Sequence, residues 1–184
     1  KKNSDRYEYV LPYYDFSKIF SLDKYGTFEL TSSGKNNLSN TNNLKTSIIN
    51  DLNLRSNDKI FEKYGLKNNF NIYLKNLNTL GKNDPKYKDS PQSQLMSMFE
   101  MQSSIPLNKI DDKNNYLFVP KISLRISPFN MKNYSDANRE INTDNIFNSN
   151  RIGMNDSHEE GKSLTIGLNY RKENGKWIKE ILYP

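Results

Sequence analysis

Residues Ser163–Tyr170 read Ser-Leu-Thr-Ile-Gly-Leu-Asn-Tyr, and their polarity alternates without a break. Leu164, Ile166, Leu168 and Tyr170 fall on one side of an extended chain, Ser163, Thr165, Gly167 and Asn169 on the other. Side chains point to opposite faces at successive strand positions, so this segment is a strand with one apolar and one small-polar face. The same period recurs along most of the chain, in segments about as long as the roughly 9–11 residues of a membrane-crossing strand. Very polar stretches separate these segments. Repeated two-faced strands of this length are the sequence signature of a transmembrane β-barrel.

Composition supports that class over two competitors. Hydrophobic residues make up 34% of the 184 residues, and mean hydropathy is −0.89, which is low for a compact soluble core and invites a reading of disorder. Aromatics nevertheless reach 12%, and disordered chains are poor in them. A barrel reconciles the two facts, because it shows lipid a single apolar face while its lumen and loops stay polar. No apolar run approaches the roughly 18 residues of a spanning helix. The chain holds no cysteine, which excludes a disulfide framework and a thiolate metal site. The net charge of +6 is spread without a dense basic block, which points away from nucleic acid.

Eight strands are predicted: 7–20, 26–33, 44–55, 66–77, 94–105, 117–127, 162–171 and one starting at Lys176. In the third, Leu44, Thr46, Ile48, Leu52 and Leu54 oppose Lys45, Ser47, Asp51, Asn53 and Arg55. In the fourth, Phe70, Ile72 and Leu74 oppose Lys67, Asn69, Asn71 and Lys75; in the sixth, Phe118, Ile122, Leu124 and Ile126 oppose Lys121, Ser123 and Arg125. In the fifth, Leu95, Phe99, Met101 and Ile105 oppose Glu100 and Gln102, and in the first Tyr9, Leu11 and Tyr13 share a parity. Charges therefore sit mostly on the polar parity, as expected if the other faces lipid, where a charge is costly at the midplane and much less so near the interfaces. Asn50 and Asn68 interrupt the stripe. Pro12 and Pro120 sit inside strand patterns, where a missing donor implies a strand start or an irregular edge. The links tend to alternate between short and long, the longest being Pro128–Gly161 and Asn78–Ser93, while Gly34–Asn43 is intermediate. Short turns at one end and long loops at the other are an outer-membrane pattern. The expected fold is all-β, with antiparallel up-and-down strands forming an arc of a large transmembrane barrel. Residues 1–184 would be a fragment of one such domain, with a long extracellular loop near 128–161.

Candidate chemistry is sparse. His158 is the single histidine, inside the longest loop, and reads as a solvated residue, because metal or acid–base work wants convergent partners. Asp111-Asp112 and Glu159-Glu160 read as solvated loop acids. No phosphate-cradling glycine loop is present, and the expectation is a non-enzymatic chain without cofactor or metal. Lys45, Arg55, Lys67, Lys75, Lys121 and Arg125 share the polar faces, where they would line the lumen. Two readings stay open for them: contact with phosphorylated or carboxylated cargo, or pairing with Asp51 and Glu100. The loop's apolar knot of Ile141, Ile146, Phe147 and Ile152 predicts a cap that folds back over the barrel. Asn145 belongs to that cap, with Phe147 buried and Arg151 bonded to a carboxylate or carbonyl.

Several segments resemble one family. Pro120-Lys121-Ile122-Ser123-Leu124-Arg125-Ile126-Ser127-Pro128 resembles a strand of the barrel of LptD, the lipopolysaccharide-assembly or organic solvent tolerance family. Thr143–Gly153 is similar to that family's loop motif, an Asn-hydrophobic-Phe group leading to an Asn-Arg pair, and Asp156–Gly161 to its acidic run into the next strand. Leu11-Pro12-Tyr13-Tyr14 is similar to an earlier Leu-Pro-aromatic strand. The resemblance implies the middle portion of a barrel in the Gram-negative outer membrane that inserts lipopolysaccharide into the outer leaflet. It also implies an LptE-like lipoprotein plug and a periplasmic Lpt bridge as partners. A porin or receptor barrel, or a soluble carbohydrate-binding β-sandwich, are the alternatives.

Overall fold

The computed structural model describes residues 8–40, 42–129, 140–174 and 177–183. Ten strands form: β1 (Glu8–Ser21), β2 (Gly26–Ser39), β3 (Asn43–Ser56), β4 (Lys59–Phe61), β5 (Leu66–Lys82), β6 (Gln92–Ser104), β7 (Leu107–Ile110), β8 (Asn114–Ser127), β9 (Gly161–Asn174) and β10 (Trp177–Tyr183). They are antiparallel and hydrogen-bonded in the order β1-β2-β3-β5-β6-β8-β9-β10. The order follows the chain, so the topology is up-and-down, and β1 and β10 are its open ends. Among the described residues there is no α-helix, only a short 3-10 turn at Glu62–Tyr64. The chain divides into two compact units, one of Lys1–Leu54 with Tyr73–Ser97 and the other of Arg55–Ile72 with Met98–Pro184.

The eight predicted strands all form, and β2 runs on to Ser39, so the link before β3 shrinks to a few residues. β4 and β7 are additions. Each lies within a link predicted as a loop and pairs back on the strand that follows, β4 on β5 and β7 on β8. Both are too short to carry a readable alternation. Pro120 sits where β6 gives way to β7 along β8: Ser104 pairs with Lys121, and Leu107 with Phe118. Its carbonyl accepts from the Ile105 amide at 3.2 Å. A residue's N–H and C=O point to the same side in an antiparallel strand, so the missing donor falls at that break. Pro12 lies in a bulge, where Val10 pairs with Asn37 and Tyr13 with Lys35. The extra residue reverses the alternation. Tyr9 and Tyr13 therefore oppose different faces of β2, and the single parity predicted for the first strand is corrected.

Alternation elsewhere translates directly into burial. On β8, Ile122 is 44% exposed while its neighbours Ser123 and Arg125 are each 3% exposed. On β9, Ile166 is 62% exposed and Thr165 is buried. On β5, Phe70 and Ile72 are exposed while Lys75 and Thr79 are buried; on β6, Leu95 is exposed and Glu100 is fully buried. The register carries each face across strands, pairing Ile122 with Ile166 and Ser123 with Thr165. We call the apolar face outer and the other inner. This is the reverse of a soluble protein, where large apolar chains are inside and charges outside.

The inner face of the first unit departs from the expected polarity, because Tyr73, Leu77 and Met96 are buried there. The segment after β5 returns over its own strand, with the Gly81 amide bonding the Lys88 carbonyl at 2.7 Å. A Cβ on Gly81 would lie 2.6 Å from the Tyr87 carbonyl oxygen, so only glycine permits that approach. Tyr87 is itself buried.

Candidate functional site

The second unit gathers its charges on the inner face beneath the loop that follows β8. Glu100 (0% exposed) and Arg125 come from strands that pair in register. Arg125 Nη2 donates to Glu100 Oε1 at 3.1 Å. The other carboxylate oxygen accepts from Ser149 Oγ at 2.8 Å and from Asn71 Nδ2 at 3.1 Å. Arg125 also donates to the Asn148 carbonyl and has Nη1 3.8 Å from Glu159. Glu159 is shared, because Arg151 Nε reaches its Oε2 at 2.8 Å and Arg151 Nη2 bonds its Oε1. Gln102 Nε2 donates to the Phe147 carbonyl at 3.1 Å, and Lys121 Nζ lies 5.8 Å from the centre of the Phe147 ring. Two arginines and two carboxylates thus fasten the loop to the sheet. Burying a charge is costly unless it is paired and hydrogen-bonded, and Glu100 satisfies that condition through three donors.

The loop keeps its form through asparagines that stand in for backbone partners. Asn145 Oδ1 accepts from the Asn142 amide and Asn145 Nδ2 donates to the Glu140 carbonyl, both at 2.8 Å. Asn150 bonds both the amide and the carbonyl of Met154, at 2.8 and 2.7 Å. Short amide side chains readily compete for the main chain in this way. Met154 and Arg151 are buried; Phe147 is half-buried, not buried as predicted, and it lines a cavity. Residues 130–139 of the predicted loop lie outside the described residues. Glu159 is corrected from solvated acid to buried-arginine partner, and His158 is half-buried, its ring 6.4 Å from that of Phe129.

The remaining basic candidates separate by partner. In the first unit, Lys75 is buried and meets Asp51 at 2.6 Å, while Lys45 Nζ stands 4.9 Å above the Tyr87 ring. In the second unit, Arg55 is exposed. Lys67 meets Asp58 at 2.7 Å in a part-exposed pair. The hydrogen bond from Lys67, aided by one from Asn69 and against the effect of burial, holds the Asp58 carboxyl below its ordinary 3.8. Lys121 and Arg125 border the loop. Asn145, Phe147 and Arg151 all lie within it. Glu100 was legible as a charge on a polar parity. Asn148, Ser149 and Glu159 carried no periodic signal, because their roles arise only when the loop folds back. No group of acidic or histidine residues suited to a metal occurs among the described residues.

The outer face accounts for the two asparagines that break its stripe. In the first unit Ser32 Oγ donates to Asn50 Oδ1 at 2.7 Å, Asn50 Nδ2 to Asn76 Oδ1 at 3.3 Å, and Asn76 Nδ2 to Ser93 Oγ at 3.2 Å. In the second, Ser103 Oγ donates to Asn68 Oδ1. Each asparagine is matched by a polar neighbour on an adjoining strand, so neither is left unsatisfied on that face. No protein-family model matches the chain, and comparison with curated proteins finds no match.

Proposed function

We propose that this chain forms part of the wall of an outer-membrane β-barrel that assembles lipopolysaccharide into the outer leaflet, as the LptD resemblance implies. The observation that carries the membrane reading is the inverted polarity: buried Glu100, Arg125 and Lys75 against exposed Ile122, Leu164, Ile166 and Leu95. In water such an arrangement exposes its apolar residues and buries its charges at a cost on both counts. In a bilayer the outer face is solvated by lipid. On β8, the outer positions Phe118, Pro120, Ile122, Leu124 and Ile126 are all apolar. They cover about 27 Å of strand at roughly 3.4 Å per residue. A tilt of about 35–45° reduces this to about 20 Å of height, close to the roughly 25 Å band of such barrels. Tyr116 and Tyr170 flank one end of this band, with Lys172 Nζ 5.2 Å above the Tyr116 ring, as residues of the interface do.

The lipopolysaccharide reading adds the segments from Leu11, Pro120, Thr143 and Asp156 that resemble the family. In this reading the loop held by Glu100 and Arg125 caps the lumen on the extracellular side, and cargo leaves sideways between strands outside this chain. The LptE-like plug and the Lpt bridge are the partners. The test is depletion of the full-length protein from its host. Surface labelling should then show loss of newly made lipopolysaccharide, and deletion of Asn145–Gly153 should admit large antibiotics. A protein found in the outer membrane whose depletion leaves surface lipopolysaccharide unchanged would support a porin or receptor barrel. Recovery in the soluble fraction would reject both.

A further inference from the structure

We propose that a cavity on the inner face of the second unit binds a phosphate monoester. The cavity has a volume of about 200 Å³ and is lined by Lys67 and Asn69 of β5, Gln102, Ser103 and Ser104 of β6, Lys121 and Ile122 of β8, and Phe147 of the loop. Lys67, Asn69, Gln102, Ser104 and Lys121 occupy the inner parity of their strands, and Ser104 pairs in register with Lys121. Among the described residues, no acidic side chain lines the space. The inference stands apart from the lipopolysaccharide reading, since it uses only these residues.

The six basic candidates are not equivalent. Arg125 and Lys75 are buried and committed to Glu100 and Asp51. Among the described residues, Lys121 faces the Phe147 ring, at 5.8 Å, a weaker attraction than a charge-assisted hydrogen bond to an oxyanion. Lys67 gives Asp58 one side of its ammonium, and that group carries three donors. Gln102 spends one N–H on the Phe147 carbonyl and keeps the other. The Ser104 hydroxyl adjoins them. The cavity thus offers two ammonium groups, an amide and a hydroxyl, all able to donate. A phosphate monoester presents three acceptor oxygens and between one and two negative charges at neutral pH. A carboxylate presents two oxygens and one charge, and leaves more of these donors unused. The volume is smaller than the roughly 300–1,000 Å³ of sites that enclose a whole drug-sized ligand, so the cavity takes the anionic end of a larger molecule.

Phosphate monoesters occur free, as in sugar phosphates, and on lipid headgroups. The full chain, folded in neutral detergent, is therefore titrated with glucose 1-phosphate and separately with short-chain phosphatidic acid, followed by phosphorus NMR. Saturable binding is expected in at least one arm, and the arm that saturates identifies the source. Lys121→Gln should weaken it at least tenfold, Ser104→Ala severalfold, and Lys121→Arg should retain it. Lys109→Gln, an exposed charge on β7, should leave it unchanged. Absence of saturable binding in both arms overturns the proposal, as does binding equally strong in Lys121→Gln or equally weakened in Lys109→Gln. Should Lys121→Gln not fold, Ser104→Ala and Lys67→Gln carry the same comparison, and unchanged binding in both overturns it.

Discussion

Replacing Ile166 by arginine separates a lipid-facing wall from a surface in water. Ile166 is 62% exposed and pairs with Ile122. Ile122 is the middle of the apolar outer positions running from Phe118 to Ile126 on β8, so Ile166 sits near the centre of the band. At the midplane of a barrel, arginine on the lipid face costs about 2–4 kcal/mol. On a surface in water the same change is worth within about 0.5 kcal/mol. The two cases differ by roughly ten- to several-hundredfold in the folding equilibrium, taking about 1.4 kcal/mol per factor of ten. The full protein is folded into phosphatidylcholine vesicles and unfolded reversibly in urea, with Ile166→Val as the apolar control. Ile166→Arg should lose about 2–4 kcal/mol, and Leu164→Arg, two residues nearer one end of the band, should lose less. Thr165 is a poor inner-face control despite its parity, because it is buried and arginine there would overpack the inner face by about 1–3 kcal/mol. A loss under about 1 kcal/mol at Ile166, or an equal loss at Leu164, would refute a membrane-spanning band centred on Ile122.

Three further outcomes follow from named contacts. Glu100→Gln removes the charge that faces Arg125 at 3.1 Å and should cost about 3 kcal/mol in the same urea assay, near the low end for a broken buried pair because Glu159 remains nearby; Glu100→Leu with Arg125→Met should cost less than either change alone, and additive losses would count against coupling. Asp58 has a lowered folded pKa, so its pairing with Lys67 is fully stabilising above the ordinary carboxyl value and is lost as pH falls through the lowered one. The stability difference between Asp58→Asn and the parent protein should therefore be constant at neutral pH and vanish in acid, a small effect because the pair is part-exposed. Gly81→Ala places a Cβ 2.6 Å from the Tyr87 carbonyl oxygen and should free the segment after β5, read as faster proteolysis between Asn83 and Pro91; an unchanged rate would show that the segment yields without cost.

Most of the strands and their two faces were legible in the residues alone, because a strand's side-chain period is two and the alternation holds through the strands between Leu44 and Tyr170 apart from Asn50, Asn68 and the inner-face Tyr73, Leu77 and Met96. Lys121 and Arg125 fall opposite Ile122 and Leu124 in any antiparallel pairing that keeps the stripe together. Alternation has no means of specifying a bulge, so Pro12 marked an irregularity in β1 without revealing that the parity reverses there, and three- or four-residue strands such as β4 and β7 are too short to show a period. The partners of the charges were decided only by tertiary structure. Glu100 and Arg125 lie on a polar parity from sequence alone, but Ser149, Asn148 and Glu159 join them because the loop after β8 folds back on the inner face. That return depends on contacts between residues up to 49 positions apart in the chain, which no local pattern encodes. The same return leaves Lys121 facing a ring while Arg125 meets two carboxylates, a difference that two residues of identical parity and like charge could not reveal before folding.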